Sequence, residues 1–430
     1  MNEKAKKPLL GGMRQYTMLG ALVIIAVFFQ YMTGLKAVQI PDGTGFFQAV
    51  YDRIAGGILL KPMNIANLIF QNAYVVILAT GMLICILTGG NIDLSVGSVV
   101  ALVGACAGTF IVSLGWNVYA SAALCILIGL LIGAWQGFWI AYVRIPAFIV
   151  TLSGMLVFRG LALIILNGMT IAPFPHEFLM YSTGFIPDLA GLGKLFGTEN
   201  TLSVLVGFAV VIGLCVSQLR GYLARKRKGY QTESALILIL KIVVMSAAII
   251  ALFMALANYK GIPTVLVILG ILLVVYGYIT QNTVIGRHIY ALGGNEKAAR
   301  LSGVKTNRLL FLAYVNMAVL AAIAGLVFAA RLNSASPQAG QSFELDAIGA
   351  CYIGGASAYG GIGTVGGTLI GALIMGVLNN GMSILGVNSN VQQVVKGLVL
   401  LVAVAVDVVG KQNLLQSIPL PAFLKKKTTT

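Results

Sequence analysis

The chain has 430 residues, of which 59% are hydrophobic and only 9% are charged. A soluble domain carries about 25% charged residues, so too little charge is present to cover a water-facing surface. We therefore interpret the chain as an integral membrane protein. Its net charge of +16 would suggest nucleic acid as a partner of a soluble protein. The cations instead cluster in loops, without a basic stripe carrying interleaved aromatic residues, which argues against nucleic-acid binding.

The apolar segments predict an all-α membrane protein. A helix that crosses the hydrocarbon core needs about 20 mostly apolar residues. The candidate spans are 17–34, 64–88, 94–115, 118–143, 147–167, 201–217, 235–257, 262–279, 309–330, 345–359, 364–385 and 391–409. The tenth is short and rich in glycine and alanine, which also fits a half-helix or re-entrant piece that other protein must cover. We expect about twelve transmembrane helices (ten to twelve), in one polytopic domain over residues 1–430.

The basic residues predict the orientation of the chain. They precede the first span and follow the sixth, eighth and twelfth spans, so twelve crossings place every cluster on one side of the membrane. The clusters are Lys4, Lys6, Lys7 and Arg14; Arg220 and Arg225–Lys228; Arg287, Lys297, Arg300, Lys305 and Arg308; and Lys411 and Lys425–Lys427. By the positive-inside rule this side is cytoplasmic. The tails 1–16 and 410–430 and the loop 280–308 are then cytoplasmic.

Two short matches indicate an internal repeat. The stretch IDLSVG at 92–97 resembles LDAIGA at 345–350, and each is followed by LIGA in a later span, at 131–134 and 369–372. On the predicted topology Asp93 lies on the cytoplasmic side and Asp346 on the external side. Spans two to five and nine to twelve would then be inverted repeats, a common plan in transporters.

Polar residues at the span ends suggest helix caps. Asp93 and Ser95 suit the N-terminus of the third span, although a place of Asp93 in a translocation path is the alternative. Glu344 and Asp346 precede the tenth span, and we interpret them as cap residues near an external mouth. Both histidines, His176 and His288, fall in loops, so a proton relay across the spans is poorly supported.

No catalytic or metal-binding motif is evident. The sequence has no GxxxxGK[ST] phosphate loop, and the GxGxxG match at 361–366 precedes a span, so we interpret it as a glycine hinge. All five cysteines lie in apolar runs, without a CxxC motif or a Cys/His cluster. We expect neither a disulfide nor a bound metal ion.

The stretch Tyr290–Gly303, YALGGNEKAARLSG, cannot lie in lipid although apolar segments flank it. Glu296 and Arg300 are four residues apart, beside the pair Ala298 and Ala299. A short helix of this kind could dock in a cleft of a soluble partner. The alternative is an ordinary cytoplasmic helix lying on the lipid headgroups.

Five stretches of the sequence carry a family resemblance. They are GGNIDLSVGS (89–98), IPAFIVTLSGMLVFRG (145–160), IGRHIYALGGNEKAARLSGV (285–304), ELDAIGACYIGG (344–355) and GGIGTVGGTLIGA (360–372). Together they resemble the membrane permease of bacterial ATP-binding-cassette (ABC) sugar importers of the ribose, galactose and xylose type. The resemblance covers about residues 60–409. Shorter family members lack a pair of segments that lies here around 218–260, and what this pair does stays open.

The resemblance implies a non-catalytic permease subunit in the bacterial inner membrane. It would pair with a second permease subunit, as a homodimer, and a periplasmic or lipid-anchored sugar-binding protein would dock outside. A separate ATPase subunit, of the tandem type, would dock in the cytoplasm and bind ATP and Mg²⁺, with no cofactor on this chain. The implied coupling residues are Gly293, Gly294, Asn295, Glu296, Ala298, Ala299, Arg300 and Gly303.

A sugar substrate, which the resemblance implies, suggests which side chains would line the translocation path. A sugar site needs polar hydrogen-bonding groups and an aromatic platform. The candidate path residues are Asn91, Asp93, Trp135, Trp139, Asn379, Asn380 and Gln392. Two alternatives stay open: a permease of the same type for nucleosides or branched-chain amino acids, and an ion-coupled secondary carrier that needs no ATPase.

Overall fold

The computed structural model describes residues 9–38, 45–188, 198–229 and 234–412. Within these ranges the chain is helical, with two isolated β-bridges and no strand. In chain order the helices are α1 (Leu9–Ala37), α2 (Phe46–Gly56), α3 (Pro62–Leu87), α4 (Val96–Gly108), α5 (Val118–Ala141), α6 (Ala147–Leu166), α7 (His176–Leu179), α8 (Thr201–Arg227), α9 (Ala235–Ala257), α10 (Thr264–Asn282), α11 (Val284–Gly294), α12 (Glu296–Leu301), α13 (Thr306–Leu332), α14 (Phe343–Ile353), α15 (Val365–Ile384) and α16 (Ser389–Gln412). A π-helical turn, Thr109–Ser113, extends α4. The expected tails 1–16 and 410–430 lie mostly outside the described residues.

Eleven helices of the described chain are long and apolar enough to cross a membrane. They are α1, α3, α4 with its π-turn, α5, α6, α8, α9, α10, α13, α15 and α16. The predicted tenth span is the exception, because α14 has 11 residues and measures only about 16 Å. The prediction of an all-α multi-pass protein with ten to twelve transmembrane helices is confirmed, and the short tenth segment is a half-helix.

Close helix packing builds the centre of the bundle. Helix α13 lies against α3, α4 and α5. Small residues permit this approach: a Cβ on Gly133 of α5 would lie 2.6 Å from Val315 Cα, and one on Gly129 would lie 2.6 Å from Ala322 Cβ. Glycines spaced by four let helix backbones come together in lipid. Helices α3 and α4 are the most buried of the spans in the described chain, followed by α13 and α15.

The helix contacts come in matching sets. Helix α13 packs on α4 and α5, and α3 packs on α14 and α15. In the same way α4 packs on α6, and α14 packs on α16. Taking α3 with α13, α4 with α14, α5 with α15 and α6 with α16 as equivalent helices, each of these contacts in one group has a counterpart in the other. This pattern supports the inverted repeat of spans two to five and nine to twelve.

The N-termini of α4 and α14 meet inside the bundle. A Cβ on Gly97 would lie 2.1 Å from Gly340 O, so the two backbones touch. Tyr74, halfway along α3, stacks on Phe343 at the start of α14 with ring centroids 3.7 Å apart. The meeting point is therefore near the middle of the bundle rather than at either surface.

One end of the bundle carries a group of exposed basic residues. We call the end where α3 finishes and α13 starts the basic end, because Arg144, Lys297, Arg300, Lys305 and Arg308 are exposed there. Helices α11 and α12 also lie at this end.

Helices α8 and α9, which belong to neither repeat, pack on each other, and Gly207 of α8 contacts Phe253 of α9.

Candidate functional site

The stretch predicted as one polar helix forms two helices that break at Asn295. Asn295 has extended backbone, ends α11 and starts α12. Its side-chain Oδ1 accepts a hydrogen bond from the Ala298 N–H at 3.0 Å, which satisfies one of the free donors of the first turn. Gly303, at φ +85°, then turns the chain toward α13. The segment thus presents α12 as a short, capped projection from the basic end.

Helix α12 exposes a mixed apolar and charged face. Leu301 is 90% exposed, whereas Ala299 is buried against the bundle. Lys297 and Ala298 are exposed with Leu301. The two alanines of the predicted coupling segment therefore have different environments: Ala298 is exposed and Ala299 is buried. Leu301 was not among the predicted coupling residues, although a lone leucine after Arg300 in a polar stretch was the available signal.

An ion-pair network fixes the position of α12. Arg144 Nη1 lies 2.8 Å from Glu296 Oε1, and Arg300 Nη2 lies 3.5 Å from the same oxygen. Both arginines also donate to Asn307 Oδ1 at the start of α13. Arg144 occupies the left-handed region, at φ +68°, in the loop between α5 and α6. The network therefore links α12 to the α5–α6 loop and to α13.

A cleft of about 420 Å³ opens beside α12. Asn91, Arg144, Tyr359 and the coupling residues Gly293–Glu296 line it. Asn91 is the candidate path residue that the structure brings next to the coupling segment. Its amide donates within its own loop, to Thr88 O at 3.3 Å.

Asp93 lies in a buried chain of hydrogen bonds before α4. Its Oδ1 accepts from the N–H of Ser95 at 2.8 Å and from the Ser95 hydroxyl at 2.7 Å. The Ser95 Oγ in turn accepts from Gln136 Nε2 of α5 at 2.7 Å. Burial raises the pKa of Asp93 to about 6, and the hydrogen bonds from Ser95 oppose this rise. Asp93 thus binds Ser95, the residue that precedes α4, and the Ser95 side chain makes no capping hydrogen bond to the first turn.

Glu344 and Asp346 lie in the first turn of α14, where the helix dipole stabilises negatively charged side chains. Asp346 is buried, and Lys396 of α16 lies 3.0 Å from its Oδ1. The hydroxyl of Tyr74 donates to Asp346 Oδ2 at 2.8 Å. Glu344 is half-buried beside Gly97. Asp346 therefore lies inside the bundle with its charge compensated.

Asn380 forms part of a polar cluster between α3 and α15. It exchanges hydrogen bonds with Asn64, at 2.9 and 3.3 Å, and donates to Gln71 Oε1 at 2.9 Å. Asn379 is half-buried, and its side-chain oxygen accepts no hydrogen bond. Gln392 binds the Val387 carbonyl at the start of α16.

The two tryptophans of α5 lie on an exposed face. Trp135 contacts Phe158 edge to face, and Trp139 contacts Phe138. The structure does not bring them to the cleft or to the Asn380 cluster. Within the described residues no group of three or more His, Cys, Asp or Glu could hold a metal ion.

The described chain is thus a multi-pass helical bundle of membrane-spanning type, with a short polar helix exposed at one end. The sequence matches the model of the family described as branched-chain amino acid transport system / permease component over residues 64–404. The chain belongs to this family.

Relatives extend the match to nearly the whole chain. The xylose transport system permease protein of Escherichia coli (strain K12) is 36% identical over 398 residues, 93% of this chain and 92% of the relative. The xylose permease protein of Haemophilus influenzae is also 36% identical, over 93% of this chain and 97% of its own. The ribose import permease protein of Escherichia coli (strain K12) is 38% identical over 80% of this chain and 85% of its own. No solved structure matches the chain.

Proposed function

We infer that this chain is the membrane-spanning permease subunit of an ATP-driven, binding-protein-dependent importer of monosaccharides, with xylose or several aldoses as substrates. The similarity to xylose permease proteins over 93% of the chain carries this inference. In this proposal the basic end and both termini face the bacterial cytoplasm, following the positive-inside rule. A second permease subunit, a homodimer partner, completes the path.

The ATPase-docking surface in this proposal is α12. Its exposed Leu301 supplies an apolar anchor, and Lys297 and Arg300 surround it with charge. A small apolar centre with a polar rim is the usual anatomy of a protein interface. The ion pairs of Glu296 hold α12 in position for the partner. ATP and Mg²⁺ belong to that partner, a tandem-domain ATPase.

Copurification in mild detergent tests the docking. Leu301→Glu places a charge where the side chain contacts little of its own chain, so folding is expected to be preserved while the ATPase is lost. Leu114→Glu, at an exposed leucine on the opposite end of the bundle, is the matched control and should keep the ATPase. Equal recovery of ATPase with both variants would contradict docking at α12.

The substrate class needs a separate experiment, because the family description names branched-chain amino acids whereas the relatives are named for xylose and ribose. Uptake of labelled xylose is measured with unlabelled galactose, uridine or leucine in excess. Competition by galactose alone is expected. Competition by uridine or leucine would favour the alternative substrates.

The energy source separates this proposal from a secondary carrier. Uptake is measured with an ion uncoupler while ATP is held constant. We expect uptake to continue, because the driving force comes from the ATPase. Arrest by the uncoupler, with no ATPase copurifying, would identify an ion-coupled carrier instead.

A further inference from the structure

Three chain segments meet at the basic end through glycine backbones. We call Gly89, Gly90, Gly293, Gly360 and Gly361 the glycine junction. A Cβ on Gly293 would lie 1.8 Å from Leu87 O and 2.5 Å from Gly361 N. A Cβ on Gly360 would lie 2.6 Å from Gly89 Cα. The end of α11, the end of α3 and the loop after α14 are therefore in direct backbone contact, without a side chain between them.

Two hydrogen bonds reinforce this junction. The N–H of Gly361 donates to Leu87 O at 3.2 Å, which ties the loop after α14 to α3. The hydroxyl of Tyr290, in α11, donates to Gly363 O at 2.8 Å. Movement of α11 toward α3 and the loop after α14 is consequently opposed by the backbone contact at Gly293. Movement of α11 away from that loop is opposed by the hydrogen bond of Tyr290.

The loop after α14 is a compact continuation of that helix. The N–H of Ala356 donates to Cys351 O at 2.9 Å, and that of Ser357 donates to Ile362 O at 2.8 Å. We call α14 with residues 354–363 the α14 unit. Because close-packed protein has low compressibility and transmits strain, the unit is expected to move as one body.

The α14 unit holds α16 at two levels. In the middle of the bundle Lys396 of α16 pairs with Asp346. At the basic end the N–H of Ala358 donates to Asp407 Oδ2 of α16 at 3.3 Å. Among the described helices α14 is the main packing partner of α16. The remaining face of α16 is exposed and apolar, including Leu398 and Leu401.

We propose that the α14 unit mechanically connects the coupling segment to α16, with Gly293 and Tyr290 as the positioning residues that engage it. Movement of α11 and α12 passes through the glycine junction into the α14 unit, and the two polar contacts carry it to α16. The proposal rests on the proposed function, since it supplies the route by which ATPase docking would reach the spans. Discrete rearrangement of packed elements is the usual form of such transitions.

Two glycines provide a matched test. Gly293→Ala forces a Cβ into Leu87 O and the Gly361 backbone, whereas a Cβ on Gly270, in α10 and outside the coupling segment, would meet nothing within 4 Å. Tyr290→Phe removes only the hydrogen bond to Gly363 and preserves the ring. All three variants are purified with the ATPase and reconstituted in vesicles, where sugar uptake and ATP hydrolysis are measured together.

For Gly293→Ala and Tyr290→Phe we expect the ATPase to copurify and hydrolyse ATP, while sugar uptake per ATP falls by between about twofold and thirtyfold. Gly270→Ala should match the wild type. If Gly293→Ala fails to accumulate in the membrane, Tyr290→Phe alone tests the proposal. Unchanged uptake per ATP in Tyr290→Phe, or an equal loss in Gly270→Ala, would overturn the proposal. Absence of ATPase from the wild-type preparation would instead refute the proposed function.

A probe on α16 gives the second readout. A fluorophore on Leu401→Cys lies on the exposed face, and the five native cysteines are free, four of them buried. ATP should change the emission of this probe in the wild type and in Gly270→Ala. The change should be reduced in Tyr290→Phe. An identical ATP response in all three would contradict movement of α16 through the α14 unit.

Discussion

Asp346 of α14 and Lys396 of α16 form an ion pair inside the bundle, with Nζ 3.0 Å from Oδ1 and side-chain exposures of 1% and 15%. Tyr74 of α3 donates to the second carboxylate oxygen. Three helices that are distant in sequence thus meet at one carboxylate. Because the half-helix α14 starts in the interior, its acidic first turn needs a partner there.

Removing one member of this pair is expected to be costly. Lys396→Met leaves Asp346 buried without compensation, and we expect the free energy of unfolding to fall by about 3–5 kcal/mol. The triple variant Lys396→Met, Asp346→Leu and Tyr74→Phe removes all the polar groups and should lose less. Thermal unfolding in detergent measures both. Equal losses in the two variants would contradict the uncompensated-charge explanation.

Variants of Asn380 and its neighbour Asn379 distinguish a role in packing from a role in transport. Asn380→Ala leaves Asn64 and Gln71 without their partner, at a cost of about 1–3 kcal/mol. Asn379→Ala removes an oxygen that accepts no hydrogen bond, so stability should hardly change. Unfolding and uptake are measured for both. Loss of uptake in Asn379→Ala at unchanged stability would support Asn379 as a path residue.

The span pattern was readable from the sequence because hydrophobic length is a local property. The prediction of 235–257 coincides with α9, and the short 345–359 segment already suggested a half-helix. The partners of α14 were not readable. Lys396 pairs with Asp346 across 50 residues, and Gly97 meets Gly340 across the repeat. Such contacts depend on how helices pack, which spacing within one segment does not encode.

The coupling segment, too, was predictable from the sequence in its local features and not in its tertiary contacts. The polar stretch after Tyr290 was recognisable, since charged residues cannot face lipid. Its break at Asn295 follows from a cap, and asparagine is a favoured N-cap residue, so this signal was available. The ion pair of Glu296 with Arg144, 152 residues away, needed the tertiary structure.

Charge exchange tests whether the Arg144–Glu296 pair positions α12. Both side chains are more than one third exposed, so Glu296→Arg should change stability by less than about 1 kcal/mol. Copurification of the ATPase should nevertheless fall, because α12 loses its fixed position. Adding Arg144→Glu restores an opposite-charge pair and should restore binding. If binding stays lost in the double variant, Glu296 itself contacts the partner.

The meeting of α4 and α14 predicts that alanine substitutions at two glycines of α4 change stability in opposite directions. A Cβ on Gly97 would lie 2.1 Å from Gly340 O, and one on Gly104 would lie 3.8 Å from Ala329 Cβ, an ordinary contact. Gly97→Ala should lower the free energy of unfolding by about 1–3 kcal/mol through overpacking. Gly104→Ala should raise it by up to about 1 kcal/mol, because alanine favours the helix.

Thermal unfolding of both glycine variants in the same detergent measures whether their stabilities change in opposite directions. Accumulation in the membrane checks that each variant folds. Gly97→Ala should also reduce uptake, since separating the N-termini of α4 and α14 displaces the turn that carries Asp346. Gly104→Ala should leave uptake unchanged. Destabilisation of equal size in both variants would mean that α4 accepts a Cβ no better against α13 than against Gly340, and that the close approach at Gly97 has no special role.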